Sequence, residues 1–268
     1  MLKNEGDRLT RVVVCSPEKE YFNVADPKLH NIKEAADPHR AIHQHAELRL
    51  VLRNFGSEVI NAAELEGHPN SVFTRDMSIV TPQGYIKLRM GLRTREGEEE
   101  YMARFLDSIG EPCAGEIFKP GTVEGGDIFL CGSVAFVGES RRTNEEGIRQ
   151  LSRLLEKMGY EVRALSLPET YLHLDQTIGV LGPNHLIYCR ELYPRALFDG
   201  FEATEFSCAE FNVNFICLGP GEILAPAANT KVIQTARSLG VKVNALDVSE
   251  FAKGKGGPNC LVLPLERQ

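Results

Sequence analysis

The 268-residue sequence has no excess of basic residues, with 30 Lys and Arg against 37 Asp and Glu. Its formal net charge of −7 disfavours nucleic acid as a partner, because phosphate binding requires a basic face. No apolar run approaches the ~18 to 20 residues that cross a bilayer, so no membrane partner is expected. The opening MLKNEGDRLTRVVV lacks the apolar core of a secretory signal, which predicts a cytoplasmic protein.

Paired cysteine motifs are also missing. The seven cysteines are odd in number and scattered, and no two of them form a C-x-x-C pair. This pattern predicts free thiols in a reducing compartment and argues against both disulfides and zinc fingers.

What the chain does have is a repeat. Four segments run from a polar start through an apolar strand and a Gly, Pro or Asn turn into a second strand, and each is typical of a hairpin: FTRDMSIVTPQGYIKL, EGGDIFLCGSVAFVGE, HLDQTIGVLGPNHLIYCR and FNVNFICLGPGEILAPA. Three are followed by a helical pattern and a further strand, while the third hairpin has room only for a short helix. Thr143 and Glu146 predict a capping box for the helix after the second hairpin.

The N-terminal strand RVVVCS lacks a local hairpin partner, and NCLVLPL near the C-terminus is the natural candidate to supply it. Five strand-strand-helix-strand units then close into a ring with paired chain ends. No linker or low-complexity run interrupts them, so residues 1–268 are expected to form one α/β domain. Closure gathers the residues at the hairpin starts around one axis: Asp76, Asp127, Asp175, Asn212 or Asn214, and Cys260.

The motifs FTRD, GTVEGGD, GESRRTNEEG, HLD and GGPNC occur in an order that resembles the guanidine-modifying enzymes of the pentein fold. In length and central motifs the chain is most similar to the dimethylarginine dimethylaminohydrolases. In FTRD and HLD it is similar to the arginine deiminases. The resemblance implies a pentein α/β-propeller of five pseudo-symmetric ββαβ units around a central active site, and it is compatible with a homo-oligomer.

The residues themselves predict a chemistry for the site. A guanidinium is a poor electrophile, so its hydrolysis favours a thiolate nucleophile such as Cys260, which would form a covalent thiouronium. His173 can move the protons of both steps, and Glu124 can orient its imidazole. Asp76 and Asp175 would bind the substrate's N–H groups. This chemistry requires no metal or organic cofactor, and the expected partner is a small guanidino compound.

Three further residues are candidates for holding the substrate. Arg142 matches the family position that binds the carboxylate of an amino-acid substrate, with Arg95 as a second candidate and Arg141 as the neighbour most easily confused with Arg142. Asp127 has a structural role in capping its hairpin as an equal alternative to substrate binding.

The sequence leaves several functions open. Hydrolysis of arginine to citrulline and ammonia is favoured, because Asp76 and Asp175 offer an acceptor to each terminal nitrogen of an unmethylated guanidinium. The alternatives are hydrolysis of dimethylarginine, amidino transfer and hydrolysis of citrulline. A non-catalytic, ribosome-binding pentein is a further alternative, although it would not need Cys260, His173 and the carboxylates together.

Overall fold

Strands and helices follow one another in the order that the repeat predicts. The computed structural model describes residues 2–209 and 212–268. Within these residues the strands are β1 Leu9–Cys15, β2 Glu58–Ala62, β3 Ser78–Thr81, β4 Gly84–Lys87, β5 Cys113–Glu116, β6 Ile128–Cys131, β7 Val134–Glu139, β8 Glu161–Ser166, β9 Ile178–Gly182, β10 His185–Cys189, β11 Glu202–Phe206, β12 Ile216–Gly219, β13 Glu222–Pro226, β14 Lys242–Leu246 and β15 Leu263–Arg267. The α-helices are α1 Pro38–Phe55, α2 Glu98–Ser108, α3 Glu145–Lys157, α4 Thr230–Ser238 and α5 Ser249–Lys253.

These strands form five three-stranded sheets. In each sheet an antiparallel pair is extended by a third strand that runs parallel to the middle one. The sheet orders are β3-β4-β5, β6-β7-β8, β9-β10-β11 and β12-β13-β14, with β15-β1-β2 closing the set. Because β15 pairs with β1, the predicted meeting of the two chain ends is confirmed.

Burial differs between the strands of each unit. The entry strands β3, β6, β9 and β12 are buried at every position, as their near-continuous apolar sequences require. The outer strands β2, β11 and β14 are half-exposed. The entry strands therefore lie in the interior of the molecule, and the turns that precede three of them meet one another.

Three single helical turns precede entry strands and bring polar residues to the centre. They span Thr74–Asp76, Gly125–Asp127 and Leu174–Gln176, and the second turn contacts both of the others. Gly125 and Gly126 permit this approach. A Cβ on Gly125 would lie 2.0 Å from the carbonyl oxygen of Arg75, and a Cβ on Gly126 would lie 2.7 Å from His173 Nδ1.

The structure contradicts the local prediction about the N-cap of α3 and confirms the one about a short helix. The predicted capping box at α3 was wrong, because Asn144 is the N-cap and its side chain accepts from the Gly147 N–H. The hydroxyl of Thr143 instead donates to Asp127 at 2.7 Å. The short helix expected after the third hairpin is confirmed as the single turn Arg195–Phe198, between β10 and β11.

The prediction that all cysteines are free thiols was wrong for one pair. Cys189 and Cys208 form a disulfide, with a Cα–Cα distance of 5.4 Å that suits such a bond. Cys189 ends β10 and lies opposite Phe206 of the parallel strand β11, so the two thiols meet although they are 19 positions apart in the sequence. None of the helices in the described part of the chain is long and apolar enough to span a membrane.

Candidate active site

His173 and Glu124 form a buried pair. His173 Nε2 lies 2.8 Å from Glu124 Oε2, while the other carboxylate oxygen of Glu124 accepts from the Gly91 and Leu92 N–H groups and from Arg142. Burial opposes ionisation of Glu124, but the hydrogen bond from His173 and the charge of Arg142 hold the pKa of Glu124 below its ordinary value. Glu124 is therefore an anion whose oxygens are occupied by protein donors, which suits an orienting role.

The electrostatic surroundings of His173 favour its protonated form. Burial by itself would lower its pKa, but the neighbouring Asp76, Asp127 and Glu124 raise the pKa of His173 to about 10. Asp76 Oδ1 lies 3.9 Å from His173 Nδ1. The residue is therefore an imidazolium at neutral pH and can donate a proton to a departing group.

Asp76 is held by Arg95. The Arg95 guanidinium donates to Asp76 Oδ2 at 2.6 Å and to Glu98 Oε2 at 2.7 Å, and it also donates to the Phe73 carbonyl. Asp76 Oδ1 accepts from the Gly126 N–H at 3.2 Å. The role of Arg95 in binding a substrate carboxylate stays a prediction, and these contacts favour a different role, in which Arg95 fixes the orientation of Asp76.

Asp175 lies beside Cys260. Its Oδ2 accepts from the side-chain amides of Asn214 and Asn259, each at 3.0 Å, and lies 3.5 Å from Cys260 Sγ. Its Oδ1 is buried and has no hydrogen-bond partner among the described residues. Burial and the nearby charge of Asp76 raise the pKa of Asp175 above its ordinary value, so a cationic ligand would favour the charged carboxylate.

Cys260 is buried, with 5% of its surface exposed. Burial, followed by the charges of Asp175 and Asp76, raises the pKa of Cys260 well above its ordinary value. The free site therefore holds a thiol at neutral pH. A cation placed between these carboxylates would reverse much of this effect, because opposite charge favours the thiolate.

Asp127 is brought to the same centre but faces protein groups. It accepts from the hydroxyls of Ser140 and Thr143, at 2.6 and 2.7 Å, and from the Leu174 N–H at 2.9 Å. Burial raises its pKa to about 6. These contacts join the second hairpin to the loop that carries His173, so the structural alternative is the better description of Asp127.

Two cavities lie at this site and share lining residues such as Arg142, Leu172 and Gly256; the larger is called the outer cavity, and the smaller, which Cys260 lines, the inner cavity. The outer one has a volume of about 820 Å³, and the small inner one is lined by Asp76, Glu124, His173 and Cys260 among others. Arg142 lines both cavities and is 7% exposed, whereas the exposed Arg141 lines only the outer one. Of these two arginines, Arg142 is therefore the one that lines a cavity together with Cys260.

The sequence did not assign a role to the two amides at Asp175. Asn214 stands at the start of the fourth hairpin, where Asn212 was an equal candidate, and Asn259 directly precedes Cys260. Asn212 lines the outer cavity, and its carbonyl oxygen accepts from Asn229. A polar amide at the start of an apolar entry strand is the signal that could have singled out Asn214.

The acceptor atoms of Asp76, Glu124 and His173 are close enough together to hold a metal ion. The charges around them disfavour one. Arg95 and Arg142 lie 3.9 and 3.3 Å from Glu124, and His173 is itself cationic. A divalent ion would have to displace these contacts, so the site suits a monovalent organic cation better.

Known proteins resemble the chain over most of its length. Residues 57–206 and 200–267 match the family model described as arginine deiminase. The N(G),N(G)-dimethylarginine dimethylaminohydrolase of Pseudomonas aeruginosa is 31% identical over 225 residues, covering 84% of this chain and 88% of that enzyme. An arginine deiminase of Borrelia duttonii is 23% identical and covers 81% of this chain, which spans 67% of that enzyme.

Similarity in structure agrees with similarity in sequence. A solved structure of a mutant of the Pseudomonas aeruginosa enzyme in complex with citrulline has a TM-score of 0.84 to this chain at 27% identity, covering 96% of this chain and 100% of that one. The predicted superfamily and the predicted five-unit α/β propeller are thereby confirmed, as is the prediction of a hydrolase that acts on guanidino C–N bonds.

Proposed function

Because the chain belongs to the arginine deiminase family, we propose that it is a cysteine-dependent hydrolase that converts arginine into citrulline and ammonia. One observation carries the choice of substrate. Asp175 has a buried oxygen without a partner among the described residues, on a carboxylate that touches the Cys260 sulfur. An unmethylated guanidinium carries N–H donors on both terminal nitrogens and can fill that vacant acceptor.

Binding prepares the nucleophile. The substrate cation lies between Asp76 and Asp175 and neutralises the two charges that hold Cys260 as a thiol. The Cys260 proton then leaves to solvent, and the thiolate attacks the guanidino carbon. The product of this step is a neutral tetrahedral adduct with a new S–C bond.

His173 moves the protons of the two halves of the reaction. The imidazolium gives its proton to one terminal nitrogen of the adduct, so ammonia leaves and a cationic thiouronium stays attached to Cys260. The neutral imidazole then takes a proton from water, and the resulting hydroxide attacks the same carbon. Collapse of the second adduct breaks the S–C bond, restores the thiolate and, after loss of one proton, releases citrulline.

Arg142 is the group that would hold the α-carboxylate of the substrate. It lines both cavities, so it can contact a substrate whose guanidinium lies in the inner one. Arg142 also forms an ion pair with Glu124 at 3.3 Å. The residue that would bind the α-carboxylate of the substrate therefore contacts the residue that orients His173.

Hydrolysis of dimethylarginine is the second candidate, and the 31% identity to the Pseudomonas aeruginosa dimethylaminohydrolase favours it. The test is a panel of arginine, asymmetric dimethylarginine, agmatine and citrulline, with the released amine and the ureido product identified. A clear preference for dimethylarginine, seen as dimethylamine release with the higher kcat/KM, would reject the proposal for arginine. Ammonia and citrulline from arginine would support it.

Citrulline in the same panel, together with two additions, an acceptor amine and a haloamidine analogue of arginine, tests the remaining alternatives. Transfer of the amidino group to an added amine would identify a transferase. Ammonia release from citrulline would identify a citrulline hydrolase. Failure of a haloamidine analogue of arginine to label Cys260 would favour a non-catalytic binding protein.

A further inference from the structure

Among the described residues of the fourth hairpin, Asn214 is the one whose side chain forms a hydrogen bond with the reacting sulfur. Its Nδ2 donates to Cys260 Sγ at 3.4 Å and to Asp175 Oδ2 at 3.0 Å. Both partners are acceptors when charged, so the amide nitrogen has to face them, which fixes the orientation of the carboxamide. Asn259 provides a natural comparison, because it donates to the same Asp175 oxygen at the same distance, while no bond from its side chain to the sulfur is present in the described structure.

The backbone holds Asn214 in this position from two sides. The Asn214 and Val213 N–H groups donate to the carbonyls of Asp175 and Gln176, at 2.9 and 3.1 Å. On the other side Gly257 leaves space for the carboxamide, since a Cβ on Gly257 would lie 2.2 Å from Asn214 Oδ1. The amide is therefore placed by its own main chain and by the glycine-rich turn that precedes Cys260.

The surroundings of Cys260 make a donor of this kind valuable. Two carboxylates, Asp175 and Asp76, disfavour the thiolate, whereas the hydrogen bond from Asn214 favours it. A neutral N–H donor stabilises a thiolate without adding a positive charge. A positive charge at this place would repel the substrate cation and compete with it for the carboxylates.

We propose that Asn214 is a catalytic residue that stabilises the Cys260 thiolate through its side-chain N–H, whereas Asn259 only positions Asp175. The inference rests on the proposed role of Cys260 as nucleophile but not on the identity of the substrate. When the thiol ionises, its proton leaves to solvent and the sulfur keeps the electron pair. The Asn214 N–H then donates to a full negative charge, so this hydrogen bond becomes stronger in the reactive form than in the resting thiol.

The test measures alkylation of Cys260 by iodoacetamide, with Cys260→Ser to subtract the other thiols. In this reaction the thiolate forms an S–C bond and iodide leaves, so neither turnover nor a guanidino substrate is needed. The rate is followed from pH 6 to 11 in the wild type, in Asn214→Ala and in Asn259→Ala, and the rates of the three proteins are compared at each fixed pH on the rising part of the profile, because the pKa of Cys260 is raised well above its ordinary value. A hydrogen bond to a charged group corresponds to a shift of about one pH unit. We expect Asn214→Ala to move the midpoint upward by about this amount, and to be alkylated about tenfold more slowly at a fixed pH below the midpoint.

Asn259→Ala is the matched control, because it removes an equal hydrogen bond from Asp175 and leaves the bond to the sulfur intact. Equal shifts in the two variants would overturn the proposal, since Asn214 would then act only through Asp175. An alkylation rate that is unchanged in Asn214→Ala would overturn it as well. If Asn214→Ala does not fold, Asn214→Leu replaces it, because leucine has a similar shape and no donor. An enzyme that fails on arginine yet shows the shift for Asn214 alone would refute the proposed substrate and leave this inference standing.

Discussion

Replacing Asp175 with asparagine separates the two candidate substrates most sharply. The change removes one charge and keeps the volume of the side chain. In the structure Oδ2 accepts from Asn214 and Asn259, so the new carboxamide has to direct its oxygen toward these two amides. Its NH₂ group then takes the place of Oδ1, the buried oxygen that we assign to the substrate. The N–H donors of the new carboxamide would then face the N–H donors of arginine, and no hydrogen bond could form between them.

The size of the effect follows from this arrangement. A hydrogen bond to a charged group contributes about 1.5 to 3 kcal/mol, and each 1.36 kcal/mol is tenfold in rate, so kcat/KM for arginine should fall by about 10- to 100-fold. Asymmetric dimethylarginine has no donor on its methylated nitrogen and leaves the wild-type carboxylate unpaired there. For that compound the variant should be equal to or better than the wild type. The ratio of kcat/KM for arginine to kcat/KM for asymmetric dimethylarginine should therefore fall by at least the factor by which kcat/KM for arginine falls.

The assay measures kcat/KM for both compounds in wild type and variant by quantifying citrulline. Asp127→Asn is the matched control, because Asp127 has an equivalent place in the second hairpin but both of its carboxylate oxygens accept hydrogen bonds from protein groups. It should lower the thermal stability and leave the ratio between the substrates unchanged. An equal loss on both substrates in Asp175→Asn would refute the reasoning, since the carboxylate would then act on the chemistry and not on the recognition of the N–H donors.

Four further predictions concern the chemistry. Cys260→Ser should fold with an unchanged circular dichroism spectrum and lose essentially all turnover, because serine lacks thiolate nucleophilicity; wild-type activity would remove the covalent mechanism. His173→Ala should lose roughly 10² to 10⁴-fold in kcat. In the wild type, the His173 contribution to kcat/KM, which reports the free enzyme, should stay level through neutral pH and fall as pH rises through about 10, because the raised pKa keeps His173 protonated below that value; a fall centred near pH 6.5 would contradict this environment. Dialysis against EDTA should leave activity intact, and a loss that one added metal restores would show that the cluster of Asp76, Glu124 and His173 holds an ion.

The sequence by itself determined the repeat and most of the chemistry of the site. Apolar strands of four or five residues, each followed by a turn rich in Gly, Pro or Asn, are local patterns, and a local pattern is enough to predict a hairpin. The unpaired strand at one end and the apolar segment at the other predicted the pairing of β1 with β15. The positions at the hairpin starts then predicted that Asp76, Asp175 and Cys260 lie around one centre.

The tertiary structure decided how these groups contact one another. Arg95 holds Asp76, Thr143 donates to Asp127 instead of capping α3, and Asn214 reaches Cys260 across 46 residues of sequence. Cys189 and Cys208 likewise meet only because β10 and β11 are neighbours. A side chain forms hydrogen bonds with the groups that pack against it, and the packing of one hairpin against another determines which groups these are. No spacing in the sequence records this choice, so the roles of these residues depend on the packed ring.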